Sequence, residues 1–241
     1  MTSTDLPISV IVPVCNGAGF LAEAIASVRA QDPPVAEIIV VDDGSTDGSG
    51  DLAETLGSDI RVIRQDRNVG PAAARNCGIT AAIGATIGFL DVDDLWTSDA
   101  TSLLLSGMRR VSQPAIAAGR IKVISGPFPF GAAAASPIME GYAMHFGSCL
   151  IRRHVFDEIG LLDPALRYGE NTDWFMRARE RGVPIAVIDA VTMIHRRHEG
   201  NMTRHADHTV ESSLEVIKRS LDRRRASGKD GVLPRWTSFN R

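Results

Sequence analysis

The chain has 241 residues, of which 44% are hydrophobic and 23% charged, with a net charge of −3. That supplies the core of one large domain, or of one domain with a small subdomain, and excludes the broad basic field of a nucleic-acid binder. Cys15, Cys77 and Cys149 are dispersed and odd in number, which predicts reduced thiols of a cytoplasmic protein rather than disulfides or a zinc site. The opening MTSTDLPISV lacks a basic region followed by an apolar run, so no secretory leader is expected. No apolar stretch reaches the roughly 18 residues of a spanning helix, so membrane contact is expected only peripherally, at the inner face.

ISVIVPV (8–14) is a β-branched run and predicts a buried strand. Phe20, Leu21, Ala24, Ile25 and Val28 then share one helical face, and Pro33 and Pro34 stop that helix. EIIVVDD (37–43) is a second strand. Gly44 permits a tight turn after it, and Ser45, Thr46 or Asp47 is expected to cap the next helix. IRVIRQ (60–65) predicts a third strand, and 67–84 a loop and helix with Pro71 in the first turn. ATIGFL (85–90) predicts a fourth strand, which ends in Asp91, Asp93 and Asp94.

Residues 98–110 predict a helix and 115–124 a strand. The stretch 125–147 has no clear period and is expected to be an irregular loop bounding a second substrate. A short strand (148–153), a short helix (154–160) and a loop opening a helix (161–182) follow. A strand over 184–195 leads into HRRHEGN. Val210, Leu214, Ile217 and Leu221 make the stripe of an amphipathic helix over 207–225.

Strand and helix alternate at short intervals through residue 90, which argues a parallel doubly wound α/β sheet. Ligands in such sheets sit beyond the carboxyl ends of the strands. Pro13 and Asn16, Asp42 and Asp43, and Asp91 and Asp93 all fall there. Clustered carboxylates resist burial without a cation, and hard carboxylate oxygens suit Mg²⁺ or Mn²⁺ bridging to a diphosphate. The bland alternative is an acidic strand-to-helix turn. Acids at the same end of several strands argue against it, because packing alone does not require them.

With these pieces placed, residues 7 to 205 resemble the family 2 glycosyltransferases of GT-A fold, a Rossmann-like, mostly parallel sheet with helices on both faces. SVIVPVCN, VVDDGSTDGS, RNVGPAAARNCGI, FLDVDD, GSCLIRRHVFDEIGLLD, GENTDWFMRARERG and RRHEGNMT match the family's motifs in order. The resemblance implies a donor-binding half (about 7–110), an acceptor-side half (about 111–205) and a C-terminal helix and tail (206–241). It also implies inverting transfer from a UDP- or GDP-sugar to a hydroxyl acceptor, glycan or lipid-linked, with Mn²⁺ or Mg²⁺. Such enzymes build cell-surface polysaccharide.

Residue by residue, Pro13 and Asn16 would line the nucleotide pocket and Asp42 or Asp43 would accept from the base. Arg75 would lie near the donor phosphates or base, Asp91 would face the ribose and the metal site, and Asp93 would hold the metal. His198, with Arg196 nearby, would approach the diphosphate. The family's Glu-Asp motif, whose aspartate is the base, reads Glu170-Asn171 here. An amide cannot take the acceptor proton, so Glu170 or Asp173 is expected to compensate. The alternative is a non-catalytic nucleotide-sugar-binding module. Gly17-Ala18-Gly19 with Ala22 offers a weaker rival, a nicotinamide-dinucleotide fingerprint. His195, His198, His205 and His208 offer a zinc site.

Overall fold

A computed structural model of the chain describes residues 6–110, 115–125, 136–142, 144–201 and 206–228. Residues 126–135 and 143 of the expected bounding loop lie outside them, as do His205 and the side chain of His208.

Strands β1 (Ile8–Val14), β2 (Glu37–Asp42), β3 (Ile60–Arg64) and β4 (Thr86–Phe89) form a parallel block in the order β3-β2-β1-β4. The sheet continues through β8 (Cys149–Arg152), β6 (Ile116–Ser125), β9 (Ile185–Arg197) and β5 (Leu95–Trp96). β8 runs antiparallel to both β4 and β6, and β9 runs parallel to β6. Two reversals restore the original direction. β6 and β9 therefore point the same way as β1 and β4, and the carboxyl ends of β1, β2, β4 and β9 share one edge. The sheet is mixed, with its longest ladders parallel.

The two faces follow from the side-chain alternation of a strand. Ile11, Ile39, Ile87 and Phe89 meet α3 (Pro71–Ala81), α5 (His154–Ile159) and α6 (Glu170–Glu180). Val10, Val12, Ile38 and Val40 meet α1 (Ala18–Arg29), α2 (Ser49–Thr55) and α4 (Ala100–Met108). Trp174 is fully buried among Phe146, Phe156 and Phe175, and its indole N–H donates to the Gly160 carbonyl at 2.9 Å. It is a core residue.

Two expectations need correction. The stretch read as irregular contains an edge strand, β7 (Ser136–Gly141), antiparallel to β6, and a 3-10 turn at Phe146–Ser148. Its period is hidden because an edge strand is not sandwiched. Ile138 and Met139, adjacent in sequence, are both exposed. Phe20 sits at the margin of its helix's apolar stripe and is only half-buried. Residues 45–47 include the expected cap: Gly48, the N-cap of α2, offers no side chain, but Asp47 Oδ1 accepts from Ser49 N, the first N–H of α2, at 3.0 Å. They turn back onto the loop after β1, where Asp47 Oδ2 accepts from Ala18 N at 3.0 Å and so caps α1 from a distant segment.

The final helix, α7 (Ala206–Ala226), lies against α6. Arg223 reaches Asp173 and Glu180, and Arg219 reaches Asp163. Among the described residues, no helix is long and apolar enough to cross a membrane.

Candidate active site

The loop after β1 and the loop after β2 are bonded to each other. Asn16 holds a left-handed backbone (φ 54°), and its Oδ1 accepts from Thr46 N at 2.8 Å. Its own N–H donates to Ser45 Oγ at 3.0 Å. Pro13 lies on β1 opposite Val41. Both acids after β2 are buried and taken up by backbone donors. Asp42 Oδ1 accepts from Ser45 N at 3.0 Å, and Asp43 accepts from Val69 N and Gly70 N at 2.8 and 2.9 Å. Asp43 thereby fixes the N-terminus of α3 and with it Arg75.

The same loops dispose of the dinucleotide rival. That fingerprint needs free backbone N–H groups at the start of α1 to receive a pyrophosphate. Here Gly17 N donates to Ser49 Oγ and Ala18 N to Asp47, both at 3.0 Å. The site has been closed by the chain itself.

Arg75 is the centre of the arrangement. It is 4% exposed and joins two carboxylates from distant segments: Asp91 at 2.6 Å and Glu170 at 2.8 Å. Burial works against the charge on Asp91, but the adjacent guanidinium holds its carboxyl below the usual range. Glu170 is the first residue of α6, so the triad ties the end of β4 to the acceptor-side half. His145, which sequence reasoning missed, approaches Asp91 at 3.6 Å. Its Nδ1 accepts from Gly147 N at 3.1 Å, which places the proton of the neutral ring on Nε2, toward Asp91. Burial pushes this imidazole down to about 4, so it is neutral.

Asp93 and Asp94 diverge. Asp93 Oδ2 is held by His198 Nε2 at 3.2 Å and by Asn201 Nδ2 at 2.9 Å. His198 itself stacks on Phe20, with ring centroids 4.6 Å apart. Asp94 is fully buried and accepts from His195 Nδ1 at 2.9 Å and from Arg196 N at 3.0 Å. Burial pushes Asp94 up to about 7. Burial also opposes a charged His195, but the Asp94 bond outweighs it and raises the imidazole to about 9. The proton this pair shares resides on His195. Arg196 does not face the edge where a diphosphate would lie: it is buried, donates to the Asp93 carbonyl and pairs with Glu23.

A carboxylate with one oxygen held by neighbours and the other left over suits a divalent cation, which usually takes one or two protein carboxylates and completes its shell with phosphates and water. Asp93 meets that description. Asp94, His145 and His195 also bring ligand atoms within 4.8 Å of one another. There the Asp94 carboxylate and His195 Nδ1 are already bonded to each other and His145 Nδ1 to Gly147 N, which makes Asp93 the better candidate ligand. His195 and His198 serve different carboxylates, which removes the proposed zinc cluster from the described residues.

The expected bases fare unequally. Asp173 is buried, with Oδ2 on Arg177 and Oδ1 on Arg223, both at 2.9 Å. It faces α7 rather than the strand-end acids, and it lies about 200° around the helix from Asn171, the position where the family carries its base. Glu170 gives Oε1 to Arg75. Asn171 carries a buried Oδ1 that lacks a hydrogen-bond partner among the described residues.

Acids and imidazoles gather where a parallel sheet presents its strand ends, the usual place of a ligand site on an α/β fold. Residues 9–160 match Glycosyl transferase family 2, and the chain belongs to that family. Succinoglycan biosynthesis protein ExoU of Rhizobium meliloti is 32% identical over 204 residues, 75% of this chain and 59% of that protein. The uncharacterized glycosyltransferase EpsJ of Bacillus subtilis is 30% identical over 216 residues, 81% of this chain and 62% of that protein. An uncharacterized glycosyltransferase of Rickettsia felis is 45% identical over 105 residues, 43% of this chain and 17% of that protein. The chain thus spans less than two thirds of the length of these relatives. The crystal structure of S. aureus TarS 1-349 in complex with UDP-GlcNAc aligns with a TM-score of 0.73 at 21% identity, covering 90% of this chain and 66% of that one. At that identity the likeness establishes the fold, a GT-A sheet.

Proposed function

We propose that the chain is an active inverting transferase that moves a sugar from a UDP-sugar to a hydroxyl acceptor. The observation that carries this reading is the Asp91–Arg75–Glu170 triad, buried at Arg75 and Glu170 and partly open at Asp91. It couples the donor-side strand end to the first residue of the acceptor-side helix, so that a donor and an acceptor would meet across it. The UDP-GlcNAc held by the TarS fold favours a uridine donor.

In this reading Pro13 and Asn16 line the nucleotide pocket, with Asp42 and Asp43 shaping its floor. Asp91, oriented by Arg75 and His145, binds the ribose. Asp93 would hold Mn²⁺ or Mg²⁺ through Oδ1, with His198 and Asn201 fixing the carboxylate. Such an ion supplies positive charge where the departing diphosphate becomes negative. Glu170 is the general base. Arg75 engages Oε1 and leaves Oε2 to accept the acceptor proton as the hydroxyl attacks the anomeric carbon. Asn171 takes a hydrogen bond at its buried Oδ1 from a second, neighbouring hydroxyl of the acceptor and so orients it. Asp173, committed to two guanidiniums, is structural. The acceptor is a glycan or a lipid-linked sugar, which fits relatives whose names refer to succinoglycan and teichuronic acid biosynthesis.

A thermal-shift series with UDP-GlcNAc and GDP-mannose, each with and without Mn²⁺, tests the donor. Stabilisation by the uridine sugar that depends on Mn²⁺ is expected, at about 2.7 kcal/mol when ligand is 100-fold above its Kd. A flat response to every nucleotide would refute it. The second reading, a binding module without turnover, rests on Asn171. It predicts the same stabilisation with no release of UDP in the presence of any acceptor.

A further inference from the structure

Helix α7 has two faces with different partners. At 100° per residue, Ser212, Val216, Arg219, Ser220 and Arg223 share the side turned to the protein. Val216 is 1% exposed and packs at Gly169, the residue before Glu170. Ser220 and Arg223 bond Glu180. This contact alone accounts for the docking of α7.

The opposite side is apolar, and among the described residues nothing covers it. Leu214, Ile217 and Leu221 are 63%, 51% and 39% exposed. They fall within an arc of about 60°. Lys218 and Arg225 border that arc on one side and Arg224 on the other. Asp222 offers Arg225 only a long contact of 3.9 Å. A solvated helix face has no need of three large aliphatic side chains in register. Nor does a cationic border on a chain of net charge −3 follow from composition. An apolar stripe edged by Lys and Arg matches a surface that is apolar within and anionic at its rim. Pairing this face with a second copy of itself would instead oppose like charges.

We propose that the outer face of α7 binds the surface of an anionic phospholipid bilayer, with Leu214, Ile217 and Leu221 entering the headgroup boundary and Lys218, Arg224 and Arg225 contacting phosphates. Because the inner face of α7 packs beside Gly169, the membrane so bound lies one helix diameter, ~10 Å, beyond the acceptor-side helix. The membrane contact stands independently of sugar transfer.

Vesicle flotation of the full chain tests it without any nucleotide. Vesicles of phosphatidylcholine with phosphatidylglycerol should carry the protein up, and phosphatidylcholine alone should carry much less. The bound fraction should fall at least about fivefold in a Leu214→Gln/Ile217→Gln/Leu221→Gln variant and in Lys218→Glu/Arg225→Glu, and should fall with added salt. The substituted side chains are exposed, so circular dichroism melting of both variants should stay close to wild type. Equal binding to both vesicle types, no binding, or binding that survives the triple substitution would overturn the proposal. So would light scattering that reveals a dimer abolished by the same triple substitution, because a second copy would then be the occupant.

Discussion

Arg75 carries more of this site than any other residue, and its cost explains why. Removing three charged groups from water is expensive, by several kcal/mol per ion before pairing, and an apolar cluster of the same volume would fold as well. The triad therefore makes sense as a means of holding Asp91 and Glu170 in fixed positions. Glu170→Gln keeps the shape and a hydrogen-bond acceptor for Arg75 but removes the proton acceptor. Turnover should fall at least about 100-fold, the lower end of what general-base catalysis contributes. Donor-induced stabilisation should persist, since Asp91 keeps its guanidinium. Asn171→Asp should give no gain in turnover if Glu170 is the base. A large gain in Asn171→Asp, with Glu170→Gln still active, would move the base to position 171. Initial rates of UDP release for both variants decide between these outcomes.

At the scale of elements, close packing of α3 on β1 delivers Arg75 to the strand ends. Gly78, one turn beyond Arg75 on that helix, makes the approach possible. A Cβ there would lie 2.4 Å from Ile11 Cγ2 and 3.0 Å from Ile11 Cγ1, in the middle of β1. Gly78→Ala should therefore cost about 1–3 kcal/mol, the usual range for overpacking, despite the better helix propensity of alanine. Urea denaturation would register this as a lower midpoint at unchanged slope. A neutral or stabilising result would mean that α3 moves away from the sheet at little cost. The helices and the parallel block were legible in the sequence because their apolar periods are strong and their strand ends carry acids. Pro13, Asn16, Asp42, Asp43, Asp91 and Asp93 could be assigned to one edge for that reason. The antiparallel insertion of β8 between β4 and β6 was not legible, because a short apolar run does not declare its direction. The partners of Asp94 and Asp91 were hidden as well. His195 lies 101 positions from Asp94, and His145 sits in a stretch whose edge-strand pattern gives no period. Nor could spacing reveal that Asp173 would be claimed by Arg223 of the last helix.

For the whole molecule, β8 is the strand that makes one sheet of two halves. It is bonded to β4 on the donor side and to β6 on the other. Cys149 begins this strand, is 1% exposed, and has its thiol pushed by burial up to about 12. Thiolate is the form that reacts, so Cys149 should be inert to iodoacetamide while the sheet is closed. Cys15, exposed beside Asn16, should be labelled in the native protein, although burial of part of its side chain raises its pKa too. Exposing Cys149 requires β8 to part from both neighbours, which breaks the shared core on each face of the sheet. If the halves unfold together, labelling of the Cys149 peptide should follow the same urea dependence as the loss of helical circular dichroism. Peptide mass spectrometry after timed alkylation would separate the thiols. Labelling of Cys149 at urea concentrations well below the main transition would show instead that the acceptor-side half opens alone. The Arg75–Glu170 bond would then join two units that move independently, and a donor-bound state would have to pull them together before transfer.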